Sequence, residues 1–143
     1  MFDVIKGDLE ILEQGLQEAV TSPNELVTEV GMHLVTSGGK RIRPALCLLS
    51  ARGGKAFDLP HVLPLAEALE LIHTASLVHD DVIDEADTRR GAATANARWN
   101  NQVAILSGDY IFARAFALLA EAGYGDYVSK RLAELVGYRS VGE

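Results

Sequence analysis

Apolar residues recur at three- and four-residue steps through almost the whole chain, and no segment shows a convincing period-two alternation. A period of 3.6 buries one stripe of a helix, whereas a period of two buries one face of a strand. The pattern therefore points to an all-α fold. Ile5, Leu9, Leu12 and Leu16 open the series. Thr21-Ser22-Pro23 interrupts it. Ser22 as N-cap and Pro23 in the first helical position predict a second helix from Pro23 to about Val35. Gly38-Gly39 breaks that helix and opens a basic loop, Lys40-Arg41-Ile42-Arg43; Pro44 starts a third helix that stops at Gly53-Gly54. Pro60 leads into a long helix from about His61 to Asp87, with an apolar stripe of Val62, Leu65, Ala66, Leu69 and Ile72. Arg89-Arg90-Gly91 ends it. A small-residue loop, AATANA, follows, then a helix from about Asn101 to Ala122 and a last one from about Tyr127.

Composition narrows the class further. Of 143 residues, 48% are hydrophobic, which is enough to bury a core and speaks against disorder. The net charge of −7 argues against general nucleic-acid binding, which needs a basic footprint. A single cysteine, Cys47, excludes an internal disulfide framework and a multi-cysteine zinc site. Sitting in an apolar helix, it reads as a small core residue. MFDVIKGDLE lacks the basic start and apolar core of a signal peptide, and runs such as PALCLLSA are too short to span a bilayer. The expectation is a cytoplasmic protein without a transmembrane segment.

The chemistry concentrates in HDDVIDEAD, residues 79–87. On a helix, Asp80 and Asp84 lie one turn apart on the same face, with Asp81 on the flank. Like charges at that spacing repel, and a hard divalent cation relieves them: Mg²⁺ takes oxygen ligands and is shared between a few carboxylates and a substrate phosphate. A solvated acidic face would leave the same letters, but the cluster follows apolar ASLV and precedes Arg89-Arg90. Five of the 13 cations sit in two short clusters, Lys40/Arg41/Arg43 and Arg89/Arg90, in an acidic chain. Arginine suits bidentate phosphate binding and lysine binds it as a point charge. Both patches also fit surface charge or helix-end compensation. Carboxylates with Mg²⁺ on one side and cations on the other would clamp a diphosphate. His73 lies two turns before Asp80 on the same face, equally compatible with a core histidine. The doublet His79-Asp80 opens another reading, a metal phosphohydrolase of HD type recruiting His33 and His61.

GGKRIRP (38–44), LIHTASLVHDDVIDEADTRRG (71–91) and LSGDYIFARAF (106–116) match, in order and spacing, motifs of one family, and the closing VGE looks like the start of another. On these residues the chain resembles the N-terminal half of the trans-type isoprenyl diphosphate synthases, or polyprenyl synthetases. The resemblance implies an all-α bundle around a central cavity that joins isopentenyl diphosphate to an allylic diphosphate. It implies that Asp80, Asp81 and Asp84 bind Mg²⁺ and through it the allylic diphosphate, which Arg89 contacts directly. Lys40, Arg43, His73 and Arg90 would hold the diphosphate of isopentenyl diphosphate. Asp109 would play a supporting role, such as a hydrogen bond to a neighbouring helix. No side-chain nucleophile is needed for this chemistry.

In the family, residues just before the first aspartates floor the product cavity. Ala75 and Ser76 stand there; both are small, which predicts a medium- or long-chain polyprenyl product. The family's second aspartate-rich motif lies in its C-terminal half, and nothing after Asp87 repeats DDxxD. The resemblance thus casts residues 1–143 as the N-terminal portion of one larger domain. Such a piece is expected to be inactive alone and to work in a homodimer or with a complementing C-terminal chain. A non-catalytic partner subunit is the alternative, and a terpene cyclase a more distant one; the Lys40/Arg43 pair favours chain elongation.

Overall fold

The computed structural model of this chain describes residues 2–126, 130, 131, 133–135 and 137. Tyr127, where a last helix is expected to begin, and the closing VGE lie outside them. A 3-10 turn, Asp3–Ile5, leads into α1 (Lys6–Ala19); α2 (Glu25–Thr36), α3 (Ile42–Arg52) and α4 (Leu59–Ile83) follow. Two short strands, β1 (Thr88–Arg89) and β2 (Ala92–Ala93), form an antiparallel hairpin ahead of α5 (Ala95–Arg98) and α6 (Asn101–Glu121). The helical reading holds; the hairpin was hidden in what reads as a small-residue loop. Arg90 and Gly91, with φ of 53° and 79°, supply the two left-handed residues of its turn.

Three boundaries move for local reasons. The second helix begins at Glu25 because Asn24 is the N-cap, its Oδ1 accepting from Val27 N–H at 3.1 Å. The Ser22 hydroxyl instead accepts from Asn24 N–H, so Ser22 and Pro23 lie before the helix. The third helix begins two residues before Pro44, with Arg41 in a left-handed conformation as N-cap. The long helix ends at Ile83, not Asp87. Ala86 N–H donates to the Asp81 carbonyl and Glu85 N–H to that of Val82, with Glu85 at φ 53°. That is the Schellman closure, made on glutamate rather than glycine and therefore invisible as a stop signal. At the end of α6 the same closure uses Gly123, at φ 75°.

α4 runs through the middle of the bundle and packs against α1, α3 and, most extensively, α6. Its expected stripe of Val62, Leu65, Leu69 and Ile72 is half-buried, and Leu71, Ala75 and Val78 form the fully buried face with Ala66 and Ala68. Leu12 and Leu16 of α1, Leu48 of α3, and Ile111 and Leu119 of α6 complete the core. Cys47 is half-buried against it, and burial pushes its thiol pKa up. α6, at 21 residues and a mean hydropathy of 1.6, is long and apolar enough to cross a membrane by length and composition alone. Asp109 and Arg114 interrupt it. Arg114 Nε donates to the Ala19 carbonyl at the end of α1, as expected of a helix packed within a bundle.

Candidate functional site

The C-terminal end of α4, the glycine-opened loop after α2 and the hairpin meet around one small cavity of about 60 Å³. His73, Asp81, Arg89 and Arg90 line it together with Arg41 and Glu70. Four of the candidate residues, taken from stretches that read as helix and loop, therefore converge. The hairpin accomplishes this by folding Arg89 back onto α4. The Arg89 guanidinium grips Asp81: Nε lies 3.0 and 3.1 Å from the two carboxylate oxygens, and Nη2 2.7 Å from Oδ1. Asp81 is buried, whereas Arg89 keeps part of its side chain in solvent. The hydrogen bond to Asp81 raises the Arg89 pKa above its ordinary value. Burial opposes the shift, and the charges of Asp81, Asp80 and Asp84 add to it.

This pairing divides the three aspartates. Asp81 spends its oxygens on Arg89. Asp80 and Asp84 sit one turn apart at the helix end, where Asp84 N–H donates to the Asp80 carbonyl at 2.8 Å, and both reach solvent. Among the described residues no three His, Cys, Asp or Glu side chains converge as a ready-made metal cage. Mg²⁺ does not require one, since it is commonly held by one or two carboxylates together with substrate phosphates. Asp80 and Asp84 are oxygen donors of that kind at an open edge, so the donor set fits.

Arg90 reaches across to the loop after α2: a Cβ on Gly39 would lie 2.8 Å from its Nη1. Gly38 and Gly39 have φ of 97° and 137°, so the close approach and the backbone path both call for glycine. The two basic clusters thus touch. Lys40 on the loop and Arg43 in the first turn of α3 are exposed and do not line the cavity, whereas Arg41 turns inward. Its Nε lies 2.6 Å from Glu13 Oε1 and its Nη1 2.9 Å from Glu70 Oε1, and Nη2 donates to the Val35 carbonyl. Burial disfavours the Arg41 charge, but the hydrogen bonds and charges of Glu13 and Glu70 outweigh it and raise the pKa. The sequence offered no means of telling which cation of the run would turn inward.

The histidines separate. His79 points at α6, with Nε2 3.1 Å from the Ile105 carbonyl and 3.4 Å from Asp109 Oδ1. A Cβ on Gly108 would run into that nitrogen, so the Gly108-Asp109 pair admits His79 between the two helices. Asp109 thus meets a neighbouring helix as expected. His33 bonds the Ala93 carbonyl through Nε2 and accepts from Arg98 at Nδ1, and His61 stacks on Tyr124. These three histidines face different neighbours, so the HD-type constellation does not form.

Of the two residues expected to floor a cavity, Ala75 is not among those lining the cavity described above. It is fully buried in the core with Leu71, Ile111 and Ala115. Its place on the inner face of α4 explains this. Ser76 is half-buried, its hydroxyl donating to the His73 carbonyl at 2.8 Å.

The polyprenyl synthetase family model matches residues 24–143. The chain belongs to the polyprenyl synthetase family. A heptaprenyl diphosphate synthase component 2 from Geobacillus stearothermophilus is 50% identical over 123 residues, which cover 86% of this chain and 38% of that protein. The octaprenyl diphosphate synthase of Escherichia coli K12 is 42% identical over 116 residues, 81% of this chain and 36% of that protein. Among solved structures, a polyprenyl synthase from Caulobacter crescentus CB15, complexed with calcium and isoprenyl diphosphate, superposes with a TM-score of 0.91 at 33% identity. The match covers 97% of this chain and 42% of that one. The fold is that of the isoprenoid synthases, and this polyprenyl synthetase chain spans well under half the length of these three relatives.

Proposed function

We propose that this chain is the N-terminal portion of a Mg²⁺-dependent prenyltransferase that condenses isopentenyl diphosphate with an allylic diphosphate into a medium- or long-chain polyprenyl diphosphate. The observation that carries the reading is the convergence of Asp81, Arg89, Arg90 and the glycine-opened loop on one cavity, with the charges of Asp80 and Asp84 near enough to act on Arg89. Carboxylates on one side and guanidinium groups on the other match a ligand that is a polyanion bridged by a cation. Mg²⁺ held at Asp80 and Asp84 would act as a Lewis acid toward the diphosphate that leaves the allylic substrate.

The chain's own residues set the electrostatics of that site. Arg89, anchored on Asp81, carries fixed positive charge beside the place where negative charge grows as the carbon–oxygen bond breaks. Arg90, His73, Lys40 and Arg43 would bind the second diphosphate. That grip holds the double bond of isopentenyl diphosphate near the allylic carbon and makes the addition effectively unimolecular. Asp81 neutralises and orients Arg89 in this reading, rather than binding the metal.

The relatives' names, heptaprenyl and octaprenyl synthases, support a medium or long product, as does the small Ser76. The name "component 2" of one relative supports assembly with a further chain, and a homodimer is the other arrangement. The test is product analysis with isopentenyl and allylic diphosphates. Purified 143-residue protein is expected to show no turnover alone and to gain Mg²⁺-dependent turnover when a C-terminal chain with a second aspartate-rich motif completes it. Turnover by the chain alone would refute the fragment reading. A failure of Asp80→Ala and Asp84→Ala to abolish activity in the completed enzyme would refute the site.

A further inference from the structure

Resting on the reading above, we infer that Arg41 is a positioning residue for the second diphosphate: its guanidinium fixes the loop that presents Lys40 and the start of α3 that presents Arg43. The loop has little else to hold it. Gly38, Gly39 and Arg41 all have positive φ, a path that few residues adopt unaided. Among the described residues, positions 38–40 make no backbone hydrogen bond to another segment. Arg41 provides the missing constraint. Its side chain is 10% exposed and joins three helices at once: Glu13 of α1 through Nε and Nη2, Glu70 of α4 through Nη1, and the Val35 carbonyl near the end of α2.

The geometry is specific to arginine. A planar fork satisfies two carboxylates and a carbonyl together, which a lysine ammonium on one stem cannot do. With Arg41 pinned inward, its neighbours Lys40 and Arg43 face outward as the free cations of the run. The Arg41 carbonyl also accepts from Ala45 N–H at 3.0 Å, so the anchor sets where α3 and Arg43 begin. An anion is not expected to bind Arg41 itself, because Glu13 and Glu70 already neutralise it.

The experiment is a steady-state mutant cycle in the active synthase that contains this chain. Arg41→Lys is compared with the Lys40→Ala/Arg43→Ala pair and with all three changes combined. Arg41→Lys is expected to raise KM for isopentenyl diphosphate about tenfold, with the allylic KM within about twofold of wild type. Once Lys40 and Arg43 are gone, adding Arg41→Lys should raise that KM no further, because the residue acts through them. Glu13→Gln, at a half-exposed carboxylate, is the milder second variant should Arg41→Lys fail to fold, and should show the same selectivity at smaller size. Equal rises in both KM values, or a full additional rise in the Lys40→Ala/Arg43→Ala background, would overturn the inference while leaving the prenyltransferase reading intact. If Lys40→Ala/Arg43→Ala leaves the isopentenyl diphosphate KM unchanged, the substrate assignment itself falls and the role of Arg41 with it.

Discussion

Glu67 should make this chain less stable as the pH rises toward neutrality. Its carboxyl is 6% exposed on the inner side of α4, tight against α1: a Cβ on Gly15 would overlap Glu67 Oε1. Burial, together with repulsion from Glu18, pushes the Glu67 pKa from an ordinary 4.5 up to about 7. The folded state therefore holds this proton over a range in which the unfolded chain has released it. Stability attributable to the proton is complete below the unfolded value and is lost as the pH climbs through the folded one. At about 1.36 kcal/mol per pH unit, a carboxyl moved from 4.5 to about 7 costs about 3 kcal/mol by pH 8. Glu67→Gln keeps the shape without the charge. Urea denaturation at pH 5, 6, 7 and 8 should show the wild type losing about 2–3 kcal/mol relative to Glu67→Gln across that range, with the gap smallest at pH 5. A difference between the two proteins that does not change with pH would refute the reasoning. So would a gap that narrows as the pH rises.

Other substitutions test the site and its supports. Gly108→Ala places a methyl group against His79 Nε2, so the His79 ring must leave its place between α4 and α6 or the helices must part; a loss of about 1–3 kcal/mol in denaturant unfolding is expected. Ala75→Phe should destabilise the fold by about 1–3 kcal/mol through overpacking, because Ala75 has no free surface. Ser76→Phe, at a half-buried position, should instead shorten the product of the completed enzyme without a comparable loss of stability, as chromatography of the prenyl chains would show. In that enzyme, Asp80→Ala and Asp84→Ala should each weaken Mg²⁺ dependence of turnover, whereas Asp81→Asn should chiefly raise the allylic KM by freeing Arg89 from its anchor.

Much of the fold was legible because the cues that specify helices are local. Apolar periodicity with breakers and caps placed five helices, and the one expected from about Asn101 begins there, capped by Asn100. The errors have local causes as well. Asn24 outcompeted Ser22 for the cap of α2, and Glu85 took a left-handed conformation that glycine usually marks, so α4 ended earlier than its pattern. The hairpin at 88–93 is too short for a period-two signal.

At the site, residue types and spacing singled out the acidic turn, both basic clusters and His73, because phosphate and metal chemistry draws on few side chains. What each of them touches depends on residues far away in the chain. Arg89 meets Asp81 only because the hairpin turns back on α4, and Arg41 goes inward only because Glu13 and Glu70 wait there from two other helices. His79, paired in sequence with Asp80, leaves it for α6 because Gly108 opens a space. The order of amino acids by itself determined the helical class and the inventory of charged groups, since these follow from local pattern and composition, and its ordered motifs carried the resemblance to the family. Only the tertiary structure decided which charges neutralise one another and which stay available to a ligand. Burial decides that, and it is a property of the packed chain.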